Sequence, residues 1–258
     1  MSTPQTLAIE LRNIGTYLGG NWLHEDLNLT INYGEVVAIV GGSGTGKTTL
    51  LREILMLHKP NKGEIFLLGK NTAEVGDKGL LKLRQRCGMM FQHGALFSAL
   101  TVLENVEFPL LKFTDLDKDL IREIALLKIS LVGLNSSALH KYPSELSGGM
   151  IKRAAVARGI ALEPDILFLD EPTAGLDPRG AQALDELITQ LRDTLGLTIV
   201  MVTHDLDTLW NAVDRVAFLG DKKVQIAAHM RDIMASDLPL VKQFFSGPRA
   251  RAAQETGG

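Results

Sequence analysis

VVAIVGGSGTGKTTLLREIL, residues 36–55, joins a continuous apolar run to a glycine-rich turn and then to a segment with leucines at helical spacing. A short run rich in β-branched residues predicts a strand buried on both faces, typical of the centre of a parallel sheet. The turn fits the pattern G-x-x-x-x-G-K-[ST], and it lies between a strand and a helix, where that pattern binds phosphate. The stretch therefore predicts a phosphate-binding loop in an α/β fold.

The predicted loop contains every group that phosphate binding requires. Its glycines let successive backbone N–H groups turn toward phosphate oxygens at the start of a helix. We expect the lysine to reach the terminal phosphates of a nucleotide, and the threonine that follows it to ligate Mg²⁺ through its hydroxyl. A glycine-rich turn with a solvated lysine is the alternative interpretation. The predicted nucleotide-binding residues of the loop are Gly41, Gly42, Ser43, Gly44, Thr45, Gly46, Lys47, Thr48 and Thr49.

Two later strands end in residues that suit nucleotide hydrolysis. The run DILFLDE ends in two carboxylates, of which Asp170 is predicted to hold Mg²⁺ through its water shell. Glu171 is predicted to orient and deprotonate the attacking water. The run MVTHD places His204 at the end of a further strand, where its imidazole can meet the γ-phosphate. Taken alone, a solvated acidic turn and a structural histidine would explain these runs.

The composition excludes several classes of protein. A formal net charge of -3 lacks the basic footprint of a protein that grips nucleic acid, so we expect no nucleic-acid partner. Cys87 is the single cysteine, which excludes an internal disulfide and fits a reducing compartment. The N-terminus lacks the pattern of a secretion signal, and the apolar runs are shorter than the roughly 20 residues of a membrane-spanning helix. Work at a membrane would therefore depend on another protein.

The order of strand-like and helical runs predicts a discontinuous core. Strands are expected at LAIEL, LNLTINYGE and VVAIVGG, a hairpin strand at GEIFLLGKN, and later strands at DILFLD, LTIVMVT and RVAFLG. Helical segments between the later strands predict βαβ crossovers and a mostly parallel sheet. We predict a core of residues 1–91 and 165–235, a helical subdomain at 92–164 and a C-terminal segment at 236–258. The final run, GPRARAAQETGG, is expected to be flexible.

The ordered motifs resemble those of the nucleotide-binding subunits of ABC transporters. A phosphate loop, FQ at 91–92, LSGGM at 146–150, DILFLDEPTAGLD at 165–177 and THD at 203–205 follow one another in this order. The resemblance covers about residues 7–235. It implies a RecA-like P-loop NTPase core, an N-terminal antiparallel β subdomain and a helical arm that carries LSGGM. It also implies a homodimer of head-to-tail copies that binds ATP and Mg²⁺.

The same resemblance assigns roles to the LSGGM run and to two further residues. Ser147, Gly148 and Gly149 would bind the γ-phosphate of the ATP that the partner's loop holds, helped by the positive N-terminus of a helix. Gln92 would sense Mg²⁺ and the attacking water, and Asp177 would lie in a loop that crosses the dimer interface.

The family also stacks adenine on an aromatic side chain near the N-terminus. Leu18 falls at that place without gaps, with Tyr17 beside it and Trp22 nearby. We assign the stacking to Tyr17, whose ring offers a π face. Packing of Tyr17 in the core is the alternative.

Two runs narrow the resemblance to the ATPases that serve MCE-type lipid transport, the MlaF group and its Mce relatives. The discriminating features are FQxGALF within residues 89–110 and a methionine after the signature glycines, and LPLVKQFFSG at 238–247 is also similar. This resemblance implies an integral permease of the MlaE type, an MCE substrate-binding protein and a small accessory subunit. The chain would then lie at the cytoplasmic face of the inner membrane, attached through the permease, and would drive transport of phospholipid or another lipid.

Alternatives to lipid transport stay open. An ABC transporter for another cargo would share the ordered motifs. A soluble ABC ATPase of DNA repair, translation or cofactor assembly usually carries a coiled-coil insertion, tandem domains or a basic face, which this sequence does not show. A P-loop kinase or GTPase would not account for the LSGGM run.

The apolar run from Gln92 to Pro109, with Leu96 and Phe97, is expected to receive a short permease helix, with core packing as the alternative.

Overall fold

The structure is a computed structural model that describes residues 7–246. The predicted flexible run GPRARAAQETGG lies outside the described residues. The strands are β1 (Leu7–Leu18), β2 (Asn21–Asn32), β3 (Val36–Gly41), β4 (Lys62–Leu67), β5 (Lys70–Asn71), β6 (Cys87–Met90), β7 (Ile166–Asp170), β8 (Thr198–Val202), β9 (Arg215–Gly220) and β10 (Lys223–Ala228). The helices are α1 (Lys47–Ile54), α2 (Asp77–Gln85), α3 (Val102–Phe113), α4 (Lys118–Leu131), α5 (Gly148–Gly159), α6 (Pro178–Leu195), α7 (Leu206–Asn211), α8 (Met230–Met234) and α9 (Pro239–Phe245).

A six-stranded sheet in the order β10-β9-β3-β8-β7-β6 forms the core. The apolar strand β3 lies between β9 and β8, is parallel to both, and is buried at all six positions. Strands β7 and β6 continue the parallel arrangement, and β10 closes one edge antiparallel to β9. Because the carboxyl ends of parallel strands share one edge, the phosphate loop after β3 lies on the same side as the ends of β7 and β8.

A second sheet, in the order β2-β1-β4-β5, is antiparallel throughout. Strands β1 and β2 are longer than the runs that predicted them, because they continue to a tight turn at Gly19 and Gly20. Both glycines have positive φ, 60° and 85°, as a two-residue hairpin turn requires. The predicted fold class, a P-loop core with an N-terminal antiparallel subdomain and a helical arm, is confirmed.

Helices α3, α4 and α5, which follow β6 and precede β7 in the chain, pack against one another, and buried residues such as Val106, Ala125 and Ala155 join them to the core of the parallel sheet. Thr101 and Glu104 form a reciprocal capping box at the start of α3. The predicted division of the chain at residues 92 and 164 stays a prediction.

The elements that escaped the prediction include the helices α2, α8 and α9 and the strands β6 and β10. Strand β6 has only four residues, CGMM, and lacks the alternation that identifies a strand; it exists because it pairs with β7. Cys87 begins this strand, and burial raises the pKa of its thiol to about 12.

In the C-terminal segment, α9 buries Val241 and Phe245 in the core. Within residues 7–246, the helices all fall short of the length and apolarity that crossing a membrane requires.

Candidate nucleotide-binding site

The phosphate loop follows β3 and leads directly into α1. Gly41 and Gly46 have φ values of 154° and 93°, in the region that favours glycine. A Cβ atom at Gly41 would lie 2.2 Å from the carbonyl oxygen of Leu219, and one at Gly46 would lie 2.4 Å from Nε2 of His24. The loop therefore needs glycine at both positions, for conformation and for space.

Lys47 is the first residue of α1, and its ammonium group points back into the loop. Nζ donates to the carbonyl oxygens of Gly41 and Gly42 at 2.8 and 2.9 Å. Burial lowers the pKa of Lys47, while the nearby carboxylates of Glu171 and Asp170 oppose that shift. The lysine is thus half-buried and oriented at the place where phosphates would enter.

An open cavity of about 470 Å³ joins the loop to the ends of β7 and β8. It brings together half of the predicted site residues: Ser43, Gly44, Gly46, Lys47, Thr48, Thr49, Gln92, Asp170 and Glu171. Three apolar residues, Leu18, Leu23 and Val202, complete its lining. A cavity with backbone donors and a lysine on one side and carboxylates on the other suits a nucleoside triphosphate with a divalent cation.

The two carboxylates at the end of β7 have different surroundings. Burial raises the pKa of Asp170, and the neighbouring charge of Glu171 adds to this shift. Glu171 adopts a left-handed backbone conformation with φ 48°, and its N–H donates to the carbonyl oxygen of Val202 at 2.8 Å. Its Oε1 lies 2.9 Å from Nδ1 of His204, whose side chain is 63% exposed. The structure therefore pairs two of the predicted catalytic residues.

The signature residues lie apart from this cavity. Ser147 is the N-cap of α5, and its hydroxyl accepts a hydrogen bond from the backbone N–H of Met150 at 3.4 Å. Ser147 and Gly148 are exposed, and a Cβ atom at Gly149 would meet nothing within 4 Å. Asp177 caps α6 by accepting from the N–H of Gly180. The three predicted phosphate ligands of the signature run, and Asp177, are thus absent from the lining of their own chain's nucleotide cavity.

Tyr17 lies near the cavity, but Leu18 rather than Tyr17 belongs to its lining. The Tyr17 hydroxyl donates to the carbonyl oxygen of Gly20, and the ring packs edge-on against Trp22 with centroids 5.4 Å apart. Its side chain is half-exposed. Adenine stacking by Tyr17 stays a prediction.

A buried polar cluster beneath the phosphate loop was missed from the sequence. The Thr16 hydroxyl donates to Oε1 of Glu53 at 2.8 Å, and Nδ1 of His24 lies 2.9 Å from the Thr16 oxygen. All three residues are 0–1% exposed, and they join β1, β2 and α1 directly behind Gly46. No local pattern connects these positions, so only the fold reveals the cluster.

An apolar groove runs between β6 and α3. It encloses about 520 Å³, and we define it by Leu81, Met89, Phe91, Phe97, Phe108 and Phe113. The rings of Phe97 and Phe108 contact each other with centroids 4.7 Å apart, and both remain about half-exposed. Leu96, which we expected in this groove, instead packs against the main core.

A phosphate loop at the end of a central parallel strand, facing carboxylates at the ends of neighbouring strands, defines a P-loop nucleotide-binding protein. The sequence profile of the family described as ABC transporter matches residues 24–174. The chain belongs to the ABC transporter family, and it is an ATPase of that family.

Curated relatives cover nearly the whole chain. The intermembrane phospholipid transport system ATP-binding protein MlaF of Haemophilus influenzae is 39% identical over 93% of this chain and 90% of its own length. The MlaF protein of Escherichia coli is also 39% identical over 93% of this chain, and 88% of its own length is covered. A probable ribonucleotide transport ATP-binding protein, mkl of Mycobacterium tuberculosis, is 36% identical over 95% of this chain and 68% of its own length.

Solved structures share the fold. An ATP-binding cassette solved as a dimer in a post-hydrolysis state with ADP and Pi is 33% identical, with a TM-score of 0.78 over 86% of this chain and 99% of that one. The cbiO1 protein of Clostridium perfringens, part of the ABC transporter complex cbiONQ, is 30% identical, with a TM-score of 0.83 over 98% of this chain and 99% of that one.

Proposed function

We propose that this chain is the motor subunit of an ABC transporter that moves phospholipid or another lipid between membranes. The observation that carries this proposal is the 39% identity to MlaF proteins along almost the full length of both chains. The mkl protein, named for ribonucleotide transport, is 36% identical and supports a different cargo as the second candidate. A transport assay with labelled phospholipid and labelled ribonucleotide in parallel separates the two.

Mg²⁺ fits the residues that line the nucleotide cavity. The Thr48 hydroxyl, the Gln92 amide and the Asp170 carboxylate offer the hard oxygen ligands that this ion prefers, and all three residues line one cavity. When bound with ATP, the ion would neutralise charge on the phosphates. Lys47 would neutralise the terminal phosphates from the other side of the cavity, and the backbone N–H groups of the loop would hold them in place.

Glu171 is the proposed general base, and His204 is proposed to position it. The carboxylate lies at the edge of the cavity, with one oxygen on the imidazole and the other available to a water molecule. Glu171→Gln keeps the shape of the side chain but removes its basicity. We expect turnover to fall about 100-fold or more while ATP affinity stays unchanged. Normal turnover in this variant would move the base to another residue.

The second half of the site is proposed to come from another copy of the chain. Ser147, Gly148 and Gly149 stand at the N-terminus of α5, where backbone N–H groups and the helix dipole favour an anion. Their absence from the lining of their own chain's nucleotide cavity supports a role toward a partner's ATP, and one solved relative is a dimer bound to ADP and Pi. Asp177 would then lie at the interface between the two copies.

The proposed membrane partner is an integral permease of the MlaE type, which would receive a lipid from an MCE protein. The exposed apolar groove supports this partner, because a short amphipathic helix of the permease would cover its phenylalanines. The chain would thereby be held at the cytoplasmic face of the inner membrane. A small accessory subunit is a further proposed partner.

Phe97→Asp tests the groove. A charge among the phenylalanines should release the permease and abolish lipid transfer, while ATP affinity stays within about twofold, because Phe97 is absent from the nucleotide cavity. Leu127→Asp is the matched control, since Leu127 is 55% exposed on α4 outside the groove. The measurement is co-purification with the permease from membranes, followed by phospholipid transfer. Retained binding and transfer in Phe97→Asp would exclude this groove.

A further inference from the structure

Lys152 is a buried lysine on the signature helix α5, one helical turn after Gly148. It is 5% exposed, and burial lowers the pKa of its ammonium group, with Glu171 and Asp170 opposing the shift. Its Nζ donates to the backbone carbonyl oxygen of Glu171 at 2.9 Å and to that of Gln92. One ammonium group therefore joins the signature helix to two proposed site residues that are far apart in sequence.

The Glu171 contact matters because the backbone of this residue is strained. A left-handed conformation is unfavourable for a residue with a side chain, and it persists only when neighbours hold it. The Glu171 N–H donates to the carbonyl oxygen of Val202, and the Glu171 carbonyl accepts from the Lys152 ammonium at 2.9 Å and from the N–H of Ala174 at the longer distance of 3.3 Å. Without the ammonium group, the Glu171 carbonyl would keep only the longer hydrogen bond from Ala174. The backbone would then hold the Glu171 carboxylate in position less firmly.

The Gln92 contact belongs to a larger attachment of the same helix. Arg158, further along α5, donates to the carbonyl oxygens of Gly94 and Ala95 at 3.0 and 2.8 Å. Two cations of α5 thus bind backbone carbonyls of the short segment 92–95. Of these two cations, Lys152 alone also reaches Glu171. A movement of α5 would therefore act on both Gln92 and the general base.

We propose that Lys152 is a positioning residue that fixes Glu171 and Gln92 of its own site to the signature helix. Since the N-terminus of that helix is proposed to bind the partner's ATP, Lys152 would make hydrolysis in one site depend on occupancy of the other. The inference rests on the proposed role of Glu171 as the general base.

The test is Lys152→Met in the full-length chain, which keeps a long apolar side chain but removes the ammonium group. We expect kcat to fall about 10- to 100-fold, since small displacements of a catalytic group have effects of this size. The Kd for ATP should stay within about twofold of the wild-type value, because Lys152 does not line the nucleotide cavity. Lys152→Gln keeps two N–H donors on a shorter side chain, and we expect a kcat about two- to fivefold below wild type.

Lys128→Met is the matched control. Lys128 is equally buried, on the neighbouring helix α4, but its ammonium group pairs with Glu163 instead of the site. Its kcat should stay within about twofold of wild type. The proposal is overturned if Lys152→Met keeps its kcat, if its ATP affinity falls together with kcat, if Lys128→Met loses as much, or if Lys152→Gln is no better than Lys152→Met.

Two further comparisons separate a loss of folding, and a misassigned base, from the proposed role of Lys152. If Lys152→Met does not fold, Lys152→Gln decides alone: a reduced kcat at unchanged Kd supports the proposal, and an unchanged kcat or a joint loss overturns it. Glu171→Gln is measured beside these variants. Normal turnover in Glu171→Gln would show that the base is misassigned, whereas an inactive Glu171→Gln with a fully active Lys152→Met would overturn the role of Lys152 only.

Discussion

The Nδ1 atom of His204 lies 2.9 Å from Oε1 of Glu171, although the two residues are 33 positions apart in the chain. They meet because β7 and β8 are adjacent parallel strands, so that the residues following them share one edge of the sheet. The hydrogen bond occupies Nδ1 and leaves Nε2 as the ring nitrogen available to a phosphate oxygen. One imidazole can therefore contact both the base and the γ-phosphate.

His204→Ala should lower turnover about tenfold or more while ATP affinity stays near normal, because the variant frees the Glu171 carboxylate to move. Steady-state hydrolysis and nucleotide titration of the same preparation measure the two quantities. His58→Ala is the control, since His58 is an exposed residue in the turn after α1. Unchanged turnover in His204→Ala would mean that the observed pair has no part in hydrolysis.

Gly148→Asp should abolish hydrolysis without weakening the chain's own ATP binding. The carboxylate would face the partner's γ-phosphate in the proposed dimer, and like charges repel. A Cβ atom at Gly148 would lie 3.6 Å from Leu176, an ordinary contact, so the side chain fits the isolated chain. Gly148→Ala adds the same Cβ without charge and should stay active. ATP affinity is measured on the single chain and turnover on the assembled dimer; a joint loss of both would contradict the composite site.

Glu53→Ala should destabilise the chain by about 1–3 kcal/mol, because it leaves the buried Thr16 hydroxyl without the carboxylate oxygen that accepts its hydrogen bond. Glu25→Ala is the comparison, since it removes an exposed pair with Lys222 and should cost about 1 kcal/mol or less. Denaturant unfolding of both variants measures the difference. Equal losses would show that the buried cluster contributes no more than a surface pair.

The parts of this molecule that the sequence predicts are those encoded locally. Strand β3, the phosphate loop and α1 are contiguous, so their residue pattern alone identifies them. Strand β6 could not be predicted in this way, because its four residues become a strand only beside β7.

In the site, too, residues within short motifs can be predicted from the sequence, whereas contacts between distant residues cannot. Asp170, Glu171 and Gln92 were identified from short motifs, and the structure gathers them in one cavity. The contact of Lys152 with Glu171 spans 19 residues, and that of His24 with Gly46 joins two separate elements. Neither contact leaves a pattern in the sequence, since each depends on how whole helices and strands pack.

Asp185 provides a pH-dependent prediction outside the nucleotide cavity. It is 5% exposed on α6, and the Thr208 hydroxyl donates to its Oδ2 at 3.0 Å, while its Oδ1 has no hydrogen-bond partner among the described residues. Burial raises the pKa of Asp185 to about 7, the hydrogen bond from Thr208 opposes this, and the charges of Asp205, Asp207 and Glu186 add to it.

In the unfolded chain Asp185 titrates near its ordinary pKa of about 4, so between that pH and about 7 the folded state keeps a proton that the unfolded state has released. The free energy of unfolding must therefore fall as pH rises through this window. Asp185→Asn carries no titrating group and should be more stable than wild type by about 1 kcal/mol at pH 8, with little difference near pH 4. Denaturant unfolding at the two pH values measures the free energy of unfolding of both proteins. If the difference between wild type and Asp185→Asn is the same at both pH values, Asp185 titrates alike in the folded and unfolded states.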